Sequence, residues 1–237
     1  IVIEQSKQVK LEKLFDALKV KYWGTSDIVL HSEDIGKNIN DCSIFKNNSG
    51  LKSNFIDDLM KSLHKAPVIC FHAVVDKSKL ASSWQETTVV RKTAQAVFFD
   101  FLAYLFTRPP DSRGKIIIEA SSPFKDSEYL KAFTYFLSPG CKLIDTHFPS
   151  YEEIKKTLTQ ISFVTKLNHD TETQIADILA FGASCKQQQN NGASFSPNSY
   201  KGKICQLIDE KQVSVPIDAS AKDKRFYAKI ESFKLIK

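Results

Sequence analysis

The sequence predicts an α/β fold, a sheet with helices on both faces, and two observations predict it. Short apolar runs rich in Val and Ile alternate along the chain with longer stripes of helical periodicity. The helical stripes are long enough to cover a sheet, and no internal repeat indicates a solenoid or propeller. A chain of 237 residues, 42% hydrophobic and 25% charged, can bury one sizeable core and has the make-up of an ordinary globular protein.

The elements follow in order. Ile1-Val2-Ile3-Glu4 reads as the end of a strand that enters a helix striped by Val9, Leu11, Leu14, Phe15, Leu18 and Val20. Ile28-Val29-Leu30-His31-Ser32-Glu33-Asp34-Ile35 is a short apolar run that turns polar. A second helix is expected from Ser53 to His64 through Phe55, Ile56, Leu59, Met60 and Leu63. Pro67 introduces the strand Val68 to Val75, which ends at Asp76-Lys77. The longest helix is expected from Trp84 to Phe106. Pro109-Pro110 and Gly114 close it, because proline lacks the N–H that would continue the ladder.

The strand Ile116-Ile117-Ile118 follows, then a helix from about Asp126 through Leu130, Phe133 and Phe136 to a stop at Gly140. Gln160 to Lys166 alternates as a strand, and Asn168-His169-Asp170 can cap the helix that carries Asp177. Residues 186–202, rich in Gln, Asn and Ser, read as a loop or linker. Apolar periodicity returns around Phe226-Tyr227, Ile230, Phe233 and Ile236. The expected organisation is therefore a domain over 1–185, a linker over 186–202 and a basic C-terminal extension over 203–237, packed on the same domain.

No apolar stretch approaches the roughly 20 residues that cross a bilayer. Ile1-Val2-Ile3 runs directly into charged residues, so no signal peptide is expected, and the opening Ile leaves room for a segment upstream. Five cysteines, at 42, 70, 141, 185 and 205, show no zinc-type spacing. They read as reduced packing thiols of an intracellular, cytoplasmic protein. The formal charge of +6 permits a polyanion partner such as nucleic acid, and nine Lys/Arg against five Asp/Glu from Tyr200 onward place much of it in the tail. A lysine-rich tail also serves solubility alone.

Chemistry points first to Asp177, which lies in the helical run Gln174-Ile175-Ala176-Asp177-Ile178-Leu179-Ala180-Phe181. Apolar neighbours predict a largely buried position, where a carboxylate needs a cation, a hydrogen-bond network or a proton. Glu119 ends the strand Lys115-Ile116-Ile117-Ile118, whose three isoleucines predict a buried central strand opening at a ligand crevice. Asp126, three residues after Pro123, is equally suited to cap its helix. Acids at strand and helix ends are what a divalent cation requires, and hard oxygen ligands favour Mg²⁺ or Mn²⁺ over zinc. His31 precedes a plausible helix cap, and its alternative is an ordinary hydrogen bond. Asp76-Lys77 ends a strand, where it suits either a turn or the site. His64, His72, His147 and His169 show no partner spacing.

Four blocks in order, Leu30 to Ile35, Ala73-Val74-Val75-Asp76-Lys77, Ile117-Ile118-Glu119 with Asp126, and Gln174 to Ala180, resemble the domain-of-unknown-function 3800 family. The resemblance covers roughly residues 1 to 185 and implies a ribonuclease H-like mixed sheet flanked by helices. It further implies a divalent-metal-dependent nuclease or phosphodiesterase, with Glu119 as the strand ligand, Asp177 as the helical ligand, Asp126 as a third acid and His31 at the reaction site. Paired Mg²⁺ or Mn²⁺ ions would activate water and stabilise the leaving oxygen. The family's opening strand, Asp-Glu-Ser-Gly, supplies a central aspartate and does not occur in this sequence. Either that strand lies upstream of Ile1, or the chain lacks it and is a non-catalytic ribonuclease H-like module that binds a protein or nucleic-acid partner.

Overall fold

A computed structural model of the chain describes residues 1–76, 80, 84–138, 149–165, 170–211, 220–222 and 230–236. In chain order the elements are α1 (Gln8–Trp23), α2 (Ser32–Lys37), α3 (Ser49–Lys65), β1 (His72–Val75), α4 (Glu86–Phe106), β2 (Gly114–Glu119), α5 (Pro123–Phe136), α6 (Tyr151–Thr157), β3 (Leu158–Val164), α7 (Thr171–Asn190), α8 (Tyr200–Lys211) and β4 (Phe233–Ile236). Short 3-10 turns lie at Gln5–Lys7 and Asn40–Phe45. The chain is mixed α/β, and it divides into two compact units. No described helix is long and apolar enough to cross a membrane.

The first unit comprises Ile1–Cys70 and Thr165–Val213, and its described elements are helical. α1 packs against α3 and α7, α3 against α8, and α7 against α8. The stripe expected on α1 is partly right: Leu11, Phe15 and Leu18 are buried, whereas Val9 and Val20 face solvent. Tyr22, Trp23, Phe45 and Phe55 form an aromatic cluster in which Phe45 and Phe55 stack at 4.9 Å. α7 and α8 approach closely at Gly182, where a Cβ would come within 2.7 Å of Ile204 Cγ1. The expected strand at the start of the chain reduces to one antiparallel bridge, Val2 with Ile69.

The second unit comprises Phe71–Val164 and Ser214–Lys237. Instead of one mixed sheet, its described strands make two parallel pairs, β1 with β4 and β2 with β3. α4 lies at its centre. Phe98, Leu102 and Phe106 of α4 pack with Ile116 of β2, Phe133 and Phe136 of α5, and Ile154 and Leu158. α4 is apolar nearly all round because it meets β1, α5 and α6. Gly114 opens β2 where a side chain would collide with Phe101 and Leu105.

Several boundaries differ from the sequence reading. The strand expected over Val68–Val75 pairs only from His72, since Ile69 is taken by Val2. The predicted linker over 186–202 is helical to Asn190, because glutamine is a good helix former and Cys185 and Gln187 are still buried. The boundary expected at residue 185 therefore falls inside α7. The expected C-terminal extension contributes α8 to the first unit and β4 to the second. Gly140, Asn168, His169 and Phe226-Tyr227 lie outside the described residues.

Candidate functional site

Asp177 was expected inside a buried face. The structure places Ile175, Ile178 and Leu179 there instead and leaves the Asp177 side chain 31% exposed on the flank of α7. Its partners come from the segment that leads into α2. The Ser32 amide, first in that helix, donates to Asp177 Oδ2 at 2.8 Å, and His31 Nε2 lies 3.6 Å from Oδ1. One turn earlier, buried Gln174 accepts from the Leu30 amide through Oε1 at 2.9 Å. Two of the four sequence blocks, Leu30 to Ile35 and Gln174 to Ala180, thus meet side by side. Ile28 and Leu30 are buried, yet this segment is no strand; side chains of α7 satisfy its amides in place of a ladder.

α2 forms because its ends are provided for. His31 is its N-cap and accepts the Glu33 amide through Nδ1 at 3.3 Å, Glu33 and Asp34 occupy the first turn, and Asn38 closes it in the left-handed region at φ 56°. The cap decides the histidine's chemistry. With Nδ1 accepting an N–H, the neutral ring carries its proton on Nε2, the nitrogen that faces Asp177. In this arrangement Nδ1 serves the helix cap and Nε2 faces Asp177.

Tyr200 on α8 was not singled out in the sequence. Its ring stacks on Phe181 with centroids 5.5 Å apart. Its hydroxyl is buried without a hydrogen-bond partner among the described residues. Burial, with the negative charge of Asp177 second, pushes the phenol well above its usual range. Tyr200 follows Ser196-Pro197-Asn198-Ser199 in the stretch read as a linker, which gave no signal of this burial. Cys42, Cys70, Cys185 and Cys205 are buried free thiols, as expected, and burial pushes Cys42 up to about 12 and Cys185 up to about 11. Cys141 lies outside the described residues.

In the second unit, Glu119 closes β2 opposite Val164 and is half-buried. The central-strand expectation does not hold as stated. Ile116 faces the core, but Ile117 is 46% exposed, because among the described residues β2 has β3 as its one strand partner and packs one face on α4. Asp126 is not the N-cap of α5. Ser122 is, accepting the Lys125 amide, with Pro123 in the first turn where its missing N–H costs nothing. Asp126 Oδ1 instead accepts the Ser121 amide at 3.1 Å, tying the entry of α5. Asp76 is buried at the end of β1, and Lys77 is outside the described residues. His64 faces Glu210 at 3.2 Å, His72 is buried, and His147 is outside the described residues.

These positions can be tested against a Mg²⁺ or Mn²⁺ centre. Among the described residues, no group of three or more His, Cys, Asp or Glu side chains is arranged to hold a metal ion. Asp177 belongs to one unit and Glu119 and Asp126 to the other, and Asp177 and Asp126 each already hold a backbone amide. Compared with models of known protein families, with curated proteins and with solved structures, the chain finds no match.

Proposed function

We propose that the chain is a non-catalytic, ribonuclease H-like module that binds nucleic acid. The observation that carries this reading is the engagement of Asp177: the carboxylate expected to hold an ion anchors the Ser32 amide and faces His31 Nε2. Charge favours nucleic acid as the partner. The second unit holds 18 Lys/Arg against 13 Asp/Glu, the first 15 against 14, so the positive excess belongs almost wholly to one unit. The test is to incubate the protein with labelled single- and double-stranded RNA and DNA in Mg²⁺, in Mn²⁺ and in EDTA. Binding that is indifferent to the divalent ion, without cleavage, is the expected result. Metal-dependent cleavage that disappears in Glu119→Gln would overturn the reading.

A second reading, the metal-dependent nuclease, is favoured by one observation. The blocks Leu30 to Ile35 and Gln174 to Ala180, two of the four that carry the family resemblance, lie against each other, and the Asp177 side chain is 31% exposed. In that case Asp177 and Glu119 would each hold Mg²⁺ or Mn²⁺ through one carboxylate, and further ligands would have to complete the sphere. Mn²⁺ titration calorimetry separates the readings: saturable binding weakened by both Asp177→Asn and Glu119→Gln supports the nuclease.

A further inference from the structure

We propose that the end of the β2–β3 pair where both strands begin is the surface that grips a nucleic-acid backbone, through Arg113, Lys115, Lys155 and Lys156. This inference rests on the nucleic-acid reading above and adds a place to it. The four cations come from separate stretches of sequence that the fold brings to one edge. Arg113 precedes β2 and Lys115 is its second residue, opposite Gln160 of β3. Lys155 and Lys156 end α6, which runs directly into β3 at Leu158, and Leu158 is opposite Gly114. Lys222 fastens the junction, donating to the Ser112 carbonyl at 2.8 Å and to Thr157 Oγ1 at 3.1 Å, while its own amide donates to the Arg108 carbonyl at 3.1 Å. One ammonium therefore touches residues adjacent to Arg113 and to Lys156.

Arg113, Lys115, Lys155 and Lys156 are all exposed. Among the described residues none of the four has an acidic partner within ion-pair distance. Elsewhere in the same unit several cations are paired, Lys125 with Glu86, Lys131 and Arg91 with Glu128, and Lys234 with Asp100, while exposed Lys92 stands alone on α4 among the described residues. Of the two acids on α6, Glu153 is held by the capping box, where its Oε2 accepts the Ser150 amide at 2.7 Å and the Ser150 hydroxyl at 2.8 Å. The exposed Glu152 of α6 and Asp111, close enough to act on Lys222, are the other acids beside this edge. Tyr151 lies under Lys155, its ring 5.8 Å from the ammonium, which gives the patch one aromatic face for a base.

A backbone contact has a signature that a solubilising patch lacks. Each phosphate neutralised on a single strand releases about 0.7 counterion, so four contacts give a slope near −2.8 in log K against log salt. Removing two of them at about 50 mM NaCl weakens binding roughly 60-fold and halves the slope. The experiment is fluorescence anisotropy with a labelled RNA of about 20 nucleotides, single-stranded and annealed to its complement, against wild type, Lys155→Gln/Lys156→Gln, Arg113→Gln/Lys115→Gln and Lys10→Gln/Lys13→Gln on α1, all checked for folding by circular dichroism. Loss of affinity and slope in the first two variants, with the α1 variant unchanged, supports the surface. Binding by wild type that none of the variants weakens, or that all three weaken alike, overturns the surface and leaves the nucleic-acid reading intact. No binding of either RNA by wild type overturns that reading itself. Equal competition by poly-glutamate assigns the edge to an acidic protein and overturns the proposal.

Discussion

Neutralising Asp177 should destabilise the protein, and the sign of that effect separates a structural anchor from a metal ligand. The Ser32 amide is buried and lies 2.8 Å from Asp177 Oδ2 at the start of α2. A hydrogen bond to a charged group contributes about 1.5–3 kcal/mol, and the partial exposure of Asp177 places this one at the low end. Asp177→Asn keeps an acceptor oxygen but loses the charge that favours the helix start, a loss of about 1 kcal/mol. Asp177→Ala also leaves the Ser32 amide without its acceptor, at about 2 kcal/mol. With a urea m-value of about 1–3 kcal/mol/M, the midpoint falls by about 0.5 M and about 1 M respectively.

The assay is urea unfolding in EDTA, followed by tryptophan fluorescence in a Trp84→Phe background. The chain has two tryptophans, and Trp23 sits edge-on to Phe45 and Phe55 in the unit that holds Asp177. An acid held beside other acids for an absent cation behaves oppositely. Its neutralisation relieves repulsion, and Asp177→Asn would then raise the midpoint in EDTA. A rise refutes the anchor.

Three further predictions follow from the packing. Gly182→Ala should lower stability by about 1–2 kcal/mol in urea unfolding, because the new methyl meets Ile204 and Ile208, and this outweighs the gain of about 1 kcal/mol in helix propensity. Lys234→Met leaves Asp100, 1% exposed, without the ammonium 3.1 Å away, and should cost about 3–5 kcal/mol at neutral pH. Burial already holds the Asp100 carboxyl above its usual range. The defect should therefore shrink as pH falls and the carboxyl takes up a proton, which unfolding at a series of pH values reads directly. Asp58 behaves the other way: Lys21 at 2.5 Å and the Tyr22 hydroxyl at 2.9 Å hold it down to about 2. A depressed carboxylate stabilises above its unfolded value near 4 and loses that contribution as pH falls towards 2. Wild type should exceed Asp58→Asn by less than about 1 kcal/mol at pH 7, as for an exposed pair, and the difference should vanish on acid titration.

Helix positions were legible where apolar spacing and end signals agreed. α4 reads from its Phe and Leu recurrences and the prolines that follow, and α3 from Phe55, Ile56, Leu59 and Leu63. Strand pairing was less legible, because an apolar β-branched run states a capacity and not a partner. Val68 to Val75 could pair throughout, yet Ile69 bridges Val2 while His72 to Val75 pair with a strand about 160 residues later. The end of α7 was hidden for a different reason. Gln187, Gln188 and Gln189 look like linker by hydrophobicity, but glutamine loses little rotamer freedom in a helix and Gln187 is buried. Ser122 rather than Asp126 caps α5 because a serine directly before Pro123 competes for the same amides from a better position.

The site was legible in its need but not in how that need is met. A carboxylate among Ile175, Ile178 and Leu179 requires a partner, and that much is elementary electrostatics. A cation, a backbone amide and a histidine proton all satisfy it, and composition does not choose among them. The choice was made by a contact across 145 residues of sequence, between Asp177 and the start of α2. Once the Ser32 amide holds that carboxylate, the same residues that suggested an ion explain why α2 and the segment before it are held in place. The positive excess lies in the other unit, where Arg113, Lys115, Lys155 and Lys156 are exposed and have no acidic partner at ion-pair distance among the described residues. On the proposed nucleic-acid reading, anchoring and polyanion contact fall to different units, so loss of Asp177 should weaken the fold of the first while leaving RNA affinity per folded molecule unchanged. A double-mutant cycle between Asp177→Asn and Lys155→Gln/Lys156→Gln, read as RNA affinity of the folded fraction, should show no coupling, and a coupling beyond about 0.5 kcal/mol would contradict that division.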